Sequence, residues 1–349
     1  MADFYNGCKL LSMKDLDGRR PEIFMCEGNR TAGKTFYFKR MLMRRYIKYG
    51  EKFCLLYRYV YELDGVADAF FKDIEEVSFR GHEMTSDWAI KNVCMNLYFD
   101  GKHCGYALAM NNVDVLKKKS SMFVDVGAIF MDEFQSEANK YVPGEIGKFQ
   151  SIHTSIARGG GKHSRYVPVY MASNGVTTMN PYFVQFGITK RLKADTKFMR
   201  GKGWVLERTF NEEAANMLQT SAFAQAFLDD VHMQYATGDK YLLDTDNFIG
   251  FIRGPKTNIA SIIYNKEELG IWKMDGSPIA LISHKCDPGC KIKLSASLKN
   301  HTEKTHFVKA NNYIRALADM FNAGRVFFED GICKNAFIDA IGYNRFISA

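Results

Sequence analysis

The segment that most constrains the fold of this chain is a loop of the pattern G-x-x-x-x-G-K-T at residues 28–35. In this pattern, backbone N–H groups surround phosphate oxygens, the lysine reaches the β- and γ-phosphates, and the hydroxyl group binds Mg²⁺. The loop consists of Gly28, Asn29, Arg30, Thr31, Ala32, Gly33, Lys34 and Thr35. It is expected between a buried strand and the start of a helix, so the flanking residues test the assignment.

Both flanks have the required character. Residues 23–26 form a short apolar run, which predicts a buried strand. After the loop, Phe38, Leu42 and Tyr46 recur with the spacing of one helical face, and Gly50 is typical of a helix C-terminus. This order of strand, loop and helix predicts a P-loop that binds ATP and Mg²⁺.

A second apolar run, at residues 128–131, predicts a central strand that ends directly before two carboxylates. Asp132 is placed to hold Mg²⁺ together with Thr35. Glu133 is placed to orient or deprotonate an attacking water, which makes it a catalytic residue along with Lys34. A third apolar run, at residues 167–172, precedes Ser173 and Asn174. Asn174 is therefore predicted to contact the γ-phosphate or the attacking water.

Composition limits the class of protein. A chain of 349 residues with 46% hydrophobic content is long enough for two globular domains. No apolar run approaches the ~20 residues of a membrane span, and the N-terminus lacks the pattern of a secretion signal, so we expect a soluble intracellular protein. The eight scattered cysteines are expected to be reduced thiols. The net charge of +8 permits a polyanionic partner without requiring one.

Hydrophobic patterns predict the remaining organisation. Residues 53–60 predict a strand, residues 97–108 a hairpin that turns at Asp-Gly, and residues 211–235 helical structure. Further strands are predicted at residues 248–252, 259–264, 269–273 and 279–283, with a helix at 313–321. We therefore predict an ATPase domain at 1–208, a helical linker at 209–240 and an α+β domain at 241–349.

An ordered set of residues, within and outside the nucleotide motifs, matches one family. The set is Phe4, Tyr5 and Asn6, the P-loop 28–35, the run 47–51, Arg58, Tyr59, Glu62 and Leu63, the run 130–134, Ser173 and Asn174, the run 180–183, the run 262–265 and the run 269–272. By these residues the chain closely resembles the phi29-like bacteriophage DNA-packaging ATPases, and the resemblance covers most of the chain.

The resemblance implies an α/β fold with an additional-strand, catalytic-glutamate (RecA-like) ATPase domain and a ribonuclease-H-like C-terminal domain that has lost its nuclease centre. It also implies a homo-oligomeric ring, a homopentamer, that docks on the procapsid portal in the host cytoplasm and drives double-stranded DNA inward. A packaging RNA takes part in some relatives. Nuclease activity is not expected.

The resemblance also implies two roles between subunits. Arg158 matches an arginine that completes the neighbouring subunit's catalytic site, and Lys119 matches a lysine near the neighbour's phosphates or the DNA. The sequence departs from the family at two lysine positions. Val60 stands at one of them, and Ala138 stands at the other with Lys140 nearby. Roles that depend on those lysines do not carry over.

Several alternatives remain open. A phage helicase or replication ATPase would share the ATPase core, a small-molecule kinase would need an acceptor site, and a non-hydrolysing capsid protein would tolerate loss of Glu133. The residues Cys286, Cys290, His301 and His306 come near a zinc-finger spacing, although the interval between the pairs is short. A two-metal nuclease would need carboxylates from among Asp244, Asp246, Glu267, Glu268, Asp275 and Asp287.

Overall fold

The computed structural model divides into two compact units, residues 1–244 and 245–349. It describes residues 5–30, 32–137, 140–158, 164–177, 180–188, 191–192, 196–226, 249–250, 252–264, 267–295, 301–307, 316–317, 319–321, 323–334, 336–337 and 340.

The first unit contains nine strands and eight α-helices within its described residues. The strands are β1 (Ile23–Gly28), β2 (Lys52–Tyr57), β3 (Met84–Ile90), β4 (Cys94–Phe99), β5 (Lys102–Ala109), β6 (Val126–Asp132), β7 (Val169–Asn174), β8 (Phe198–Gly201) and β9 (Trp204–Thr209). The helices are α1 (Cys8–Ser12), α2 (Lys34–Tyr49), α3 (Val66–Ser78), α4 (Val113–Lys117), α5 (Glu145–Ala157), α6 (Pro181–Gln185), α7 (Glu212–Gln219) and α8 (Ala222–Ala226). Three 3₁₀ helices lie at Val60–Leu63, Met110–Asn112 and Ser120–Phe123.

All nine strands form one sheet in the order β3-β4-β5-β2-β6-β7-β1-β9-β8. The central strands β5, β2, β6, β7, β1 and β9 run parallel, while β3, β4 and β8 are antiparallel additions at the edges. Strand β7 lies between the P-loop strand β1 and the acidic strand β6. This inserted strand defines the additional-strand, RecA-like ATPase fold, so the predicted fold class of this unit is confirmed.

Helices cover both faces of the sheet, which explains why its central strands are apolar without alternation. On one face, Met25 and Met171 pack with Phe149, Ile152 and Ile156 of α5. On the other face, Phe38 of α2 stacks on Tyr170 with ring centroids 5.7 Å apart. The P-loop helix α2 and the helix α5 therefore lie on opposite faces of one buried sheet.

Most of the predicted elements of this unit are present. The runs 23–26, 128–131 and 167–172 lie in β1, β6 and β7, except that β7 begins at Val169, and α2 ends before Gly50 in a left-handed C-cap with φ 68°. The hairpin of β4 and β5 is also confirmed. The strand predicted at 53–60 stops at Tyr57, because a 3₁₀ helix begins at Val60. Sequence patterns did not predict β3, β8 or β9.

The second unit contains β10 (Lys256–Tyr264), β11 (Glu267–Met274), β12 (Ala280–Ser283), β13 (Lys293–Ser295), β14 (His306–Phe307) and β15 (Val326–Phe328). They form a sheet in the order β14-β13-β10-β11-β12-β15. Strands β10, β11 and β12 make an antiparallel meander, β13 and β14 add in parallel beside β10, and β15 adds in parallel beside β12. The first five of these strands have the order and directions of the ribonuclease-H-like fold, which confirms that prediction.

Other sequence predictions are only partly covered. The strands predicted at 259–264, 269–273 and 279–283 correspond to β10, β11 and β12. The predicted stretches at 211–235, 248–252 and 313–321 lie partly outside the described residues, and the boundaries of the linker at 209–240 stay a prediction. No helix within the described part of the chain is long and apolar enough to cross a membrane.

Close strand packing predicts one sensitive glycine. Gly105 pairs with Phe53 of β2, and a Cβ atom built on it would lie 2.3 Å from the Phe53 carbonyl oxygen. We expect Gly105→Ala to destabilise the chain by ~1–3 kcal/mol through overpacking. Gly147, in α5, has open space around its Cβ position. Gly147→Ala should therefore stabilise by up to ~1 kcal/mol. Urea unfolding measures both, and equal effects of the two substitutions would contradict this account.

Candidate functional site

The carboxyl ends of three adjacent parallel strands meet at one cavity. Gly28 at the end of β1 pairs with Asn174 at the end of β7, and Asp132 at the end of β6 pairs with Ala172. The cavity has a volume of about 300 Å³. Its lining residues are Ala32, Gly33, Lys34, Thr35, Phe36, Asp73, Asp132, Glu133, Ser173 and Asn174. The sheet therefore brings together the P-loop, both acidic residues and the polar end of the third strand.

Lys34 is the first residue of α2 and is 5% exposed. Its Nζ donates to the carbonyl oxygens of Gly28 at 3.1 Å and Asn29 at 2.7 Å, and lies 3.5 Å from Asn174 Oδ1. Burial lowers the pKa of Lys34. Gly33 precedes it in the left-handed region with φ 88°, which glycine adopts without strain. The backbone thus holds this ammonium group at the floor of the cavity.

Thr35 and Asp132 form the part of the site suited to a metal ion. Thr35 Oγ1 donates to Asp132 Oδ1 at 3.0 Å. Burial raises the pKa of Asp132, because the charged form of a carboxyl group is unfavourable away from water. A nearby cation would stabilise that charged form. A hydroxyl and a carboxylate oxygen side by side are ligands that Mg²⁺ prefers, and the pair therefore fits the predicted ion.

Glu133 follows β6 and lines the same cavity. Its φ of 53° places it in the left-handed region, which is uncommon for a residue with a side chain. Burial raises the pKa of Glu133, and the charges of Asp132 and Glu137 raise it further. A carboxylate with a raised pKa that lines the cavity beside the P-loop lysine has the properties of a general base.

The other residues of the predicted loop have different contacts. Asn29 and Asn211 exchange two hydrogen bonds, of 3.0 and 2.9 Å, so the loop is joined to the N-cap residue of α7. Arg30 pairs with Glu137 at 2.5 Å, and Glu137 also accepts from Asn174 Nδ2 at 3.3 Å. Thr31 lies outside the described residues. Ala32 and Gly33 line the cavity directly.

The two residues assigned to contacts between subunits do not line the cavity. Arg158 is exposed and follows the last residue of α5, where its backbone bridges to Ser164. Lys119 is exposed directly before the 3₁₀ helix Ser120–Phe123. Helix α5 has 13 residues between Glu145 and Ala157, and an α-helix rises ~1.5 Å per residue. Arg158 therefore lies about 20 Å from Glu145 along the helix axis.

Sequence reasoning missed several residues at this edge of the sheet. Asp73 reaches the cavity from α3 and pairs with Lys39 at 2.6 Å. Glu27 is nearly fully buried and accepts from Gln135 Nε2 at 2.6 Å and from Arg208 Nε at 2.8 Å. No local pattern marks these residues, because their partners lie far away in the sequence.

Gln135 extends this network to a further strand. Its side-chain oxygen accepts the backbone N–H groups of Val176 and Thr177, both at 3.0 Å. These contacts therefore join β1 and β9 to the segments that follow β6 and β7.

The comparisons with known proteins agree with this geometry. The family model of the Podovirus DNA encapsidation protein (Gp16) matches residues 2–345. The chain belongs to this family. It is 24% identical to the DNA packaging protein of Bacillus phage phi29 over 337 residues, which cover 95% of each chain. It is 25% identical to that of Bacillus phage B103 over 324 residues, covering 91% of this chain and 94% of the relative.

Solved structures show the same fold for this encapsidation-family chain. A chain of the bacteriophage Phi-29 viral genome packaging motor assembly aligns with a TM-score of 0.63 and 23% identity, covering 98% of this chain and 99% of that one. A chain of the Phi-28 gp11 DNA packaging motor has the same TM-score at 15% identity, with 98% of each chain covered. The family resemblance drawn from the sequence is confirmed.

Among the residues that the structure describes, the metal ligands predicted from the sequence do not form a cluster. Among the described residues, the one group of three or more metal-ligating side chains with ligand atoms within 4.8 Å of each other is His284, Asp330 and Cys333. Asp330 lies 2.9 Å from His284 Nε2 and accepts the Cys333 N–H at 2.9 Å, and these contacts account for the cluster without an ion.

The ligands predicted from the sequence have other contacts. His301 Nδ1 lies 3.0 Å from Ser295 Oγ, and Cys286 Sγ lies 3.4 Å from Glu268. The side chain of His306 and residues Asp244 and Asp246 lie outside the described part.

The contacts of Cys286 with Glu268 and of His301 with Ser295 direct these two side chains to other partners, which predicts that folding does not require zinc. Treatment of the full chain with a chelator should leave the midpoint of thermal unfolding, followed by circular dichroism, unchanged. A structural zinc site contributes folding free energy, so its removal would lower the midpoint. A drop that zinc restores and magnesium does not would show that the chain contains a structural zinc site and would contradict this prediction.

Proposed function

We propose that this chain hydrolyses ATP and uses the energy to move double-stranded viral DNA into a preformed procapsid. The observation that carries the proposal is the convergence of Lys34, Thr35, Asp132, Glu133 and Asn174 on one cavity, in a chain of the DNA encapsidation family. The motor class follows from the family, and the hydrolytic step follows from the site.

Each residue has a distinct role in this proposal. The loop N–H groups and Lys34 bind the β- and γ-phosphates. Thr35 and Asp132 would hold Mg²⁺, which neutralises phosphate charge when it is bound. Glu133 accepts a proton from the attacking water. Asn174, 3.5 Å from Lys34 Nζ, is placed to contact the γ-phosphate and to respond to its loss.

The proposed assembly is a homo-oligomeric ring, a homopentamer, docked on the procapsid portal in the host cytoplasm. Arg158 supports a ring because it is exposed and lies at the end of α5 remote from Glu145. An arginine supplied by a neighbour stabilises charge on the transferred phosphoryl group and makes hydrolysis depend on the subunit interface. Lys119 is proposed to contact the neighbouring subunit or the DNA, and a packaging RNA is a further proposed partner.

The second unit is proposed to contact nucleic acid without cutting it. Strands β10 and β13, which are adjacent and parallel at the centre of its sheet, contain no Asp or Glu. Glu268 is engaged by Lys293 at 2.8 Å and Ser261 at 2.7 Å. A two-metal nuclease needs several carboxylates at one point, and the described residues do not form such a group.

The experiment that tests the overall proposal is packaging of fluorescent duplex DNA into purified procapsids. We expect nuclease-protected DNA to accumulate only when the chain, ATP and Mg²⁺ are all present. Unwinding of duplex DNA without procapsids, in place of protection, would favour a helicase or replication ATPase.

Glu133 provides a direct test of hydrolysis. Glu133→Gln should bind ATP normally and lower turnover by a factor of about 10² or more, the size of general-base effects. Phosphate release and binding of a fluorescent ATP analogue measure the two steps separately. Glu76→Gln, an exposed carboxylate on α3, is the matched control and should leave turnover unchanged. Near-normal hydrolysis by Glu133→Gln would remove Glu133 from the mechanism.

Arg158 tests the ring. Arg158→Ala should bind ATP normally and lose up to ~10³-fold or more in turnover, the range of arginine fingers. Mixing it with Glu133→Gln should restore part of the activity that neither parent shows, because some interfaces then combine an intact Glu133 with a neighbour's intact Arg158. The matched control, Arg80→Ala, changes an exposed arginine after α3 and should have no effect. Confirmed mixed rings without any recovery would place the role of Arg158 within its own chain.

A further inference from the structure

A buried ion pair between Arg58 and Glu145 contacts the backbone of the proposed catalytic residue Glu133. Arg58 follows β2, and its side chain is 7% exposed, while the side chain of Glu145 is 2% exposed. Arg58 Nε lies 3.1 Å from both carboxylate oxygens of Glu145, and Arg58 Nη2 lies 3.0 Å from Glu145 Oε1. The guanidinium also lies 4.9 Å from the centre of the Tyr141 ring. The pair joins the end of β2 to the first residue of α5.

The remaining donors of Arg58 hold the backbone after β6. Arg58 Nη1 donates to the carbonyl oxygen of Glu133 at 2.7 Å, and Nη2 donates to that of Phe134 at 2.5 Å. The planar guanidinium therefore makes a fork on Glu145 and a second contact pair on two consecutive peptide groups. A lysine has a single nitrogen and cannot reproduce this arrangement.

Glu145 is itself fixed by two further donors. Tyr182, which is fully buried, donates its hydroxyl to Glu145 Oε1 at 2.9 Å. The backbone N–H of Val142 donates to Glu145 Oε2 at 3.0 Å. Burying two charges costs free energy, and apolar residues of similar size often serve folding equally well. The presence of a buried ion pair at this position therefore indicates that Arg58 and Glu145 have a role other than stabilising the fold.

The segment that Arg58 holds is locally unfavourable. Glu133 has a φ of 53°, and the left-handed region is unfavourable for a residue with a side chain because Cβ crowds the backbone. Such a conformation persists only when its surroundings impose it. Arg58 binds the carbonyl of that residue and of the next one, while the Phe134 N–H donates to Ala172 of β7 at 3.2 Å. Together these contacts determine where the Glu133 side chain leaves the backbone.

We propose that Arg58 and Glu145, with Tyr182, are positioning residues that hold the Glu133 carboxylate in place for activation of water. The proposal rests on the proposed ATPase function. Arg58 touches neither the phosphates nor the water in this scheme, and it acts through the backbone of Glu133. Its loss should therefore lower kcat and leave ATP binding nearly intact.

The principal test variant is Arg58→Lys, which keeps the charge and removes the fork. We expect kcat for ATP hydrolysis to fall by about 10²-fold, the effect of a misplacement of about 1 Å, while KM changes by less than about threefold. Arg45→Lys is the matched control, because Arg45 also forms a fork on a carboxylate, with Nε 3.0 Å from Glu51 Oε2 and Nη2 2.7 Å from Glu51 Oε1, and neither residue lines the cavity. It should leave kcat within about twofold, the size of a surface effect.

A double-mutant cycle separates positioning from general structural damage. If Arg58 acts only through Glu133, adding Arg58→Lys to Glu133→Gln should cause little further loss, whereas an independent structural effect would multiply the two losses. If Arg58→Lys unfolds the chain, Tyr182→Phe keeps the ion pair and removes one hydrogen bond, and the same cycle applies to it.

The two proposals fail in distinguishable ways. Absence of ATP-dependent protection of DNA by the unaltered chain would overturn the proposed function itself. Normal hydrolysis by Glu133→Gln would instead remove Glu133, and with it the positioning role of Arg58, from the mechanism. A slow Glu133→Gln variant combined with a normal kcat for Arg58→Lys, or with losses that multiply, would overturn only the positioning role. A fall in kcat for Arg58→Lys that disappears in the Glu133→Gln background would support it.

Discussion

The insertion of β7 between β1 and β6 is the constraint on which the site depends. Parallel strands end at the same edge of a sheet, so this order places the P-loop, Asn174 and the acidic pair side by side. Gly28 and Asn174 are register partners, and Asp132 is the partner of Ala172. A shift of one residue in either pairing would turn Asp132 or Asn174 to the other face of the sheet. Such a shift would move every side chain of the strand to the opposite face of the sheet. It would be costly, because both faces are packed against helices.

Several buried charged residues lie at the same edge of the sheet, and each has defined partners. Loop carbonyl oxygens surround Lys34, Arg208 and Gln135 engage Glu27, and Glu145 engages Arg58. In a medium of low dielectric constant, these partners offset the cost of burial and also fix geometry. These contacts link the ends of neighbouring strands, while the cavity itself presents groups that can exchange partners when phosphate binds.

Helix α5 connects two proposed functional residues, Glu133 and Arg158, that lie apart in the sequence. It begins at Glu145, which supports Glu133 through Arg58, and Arg158 follows its last residue. Its apolar residues Phe149, Ile152 and Ile156 pack on the sheet, so the helix behaves as a fixed spacer. In the proposed ring, the orientation of a subunit's own catalytic glutamate and the position of the arginine it offers to a neighbour would depend on one rigid element.

The sequence by itself determined the P-loop, the acidic strand, Asn174 and the order of most elements, because these signals are local. A glycine-rich loop, an apolar run and a helical repeat can each be recognised from a few neighbouring residues. The family resemblance supplied the fold classes of the two domains. Only the tertiary structure revealed the Arg58 and Glu145 pair, the Glu27 network and Asp73. The partners lie far apart in the sequence, 87 residues for Arg58 and Glu145. Contacts between such distant residues produce no periodic pattern in the sequence. For the same reason, the sequence alone suggested a metal site at Cys286 and His301. The fold places these side chains against other partners, Glu268 and Ser295.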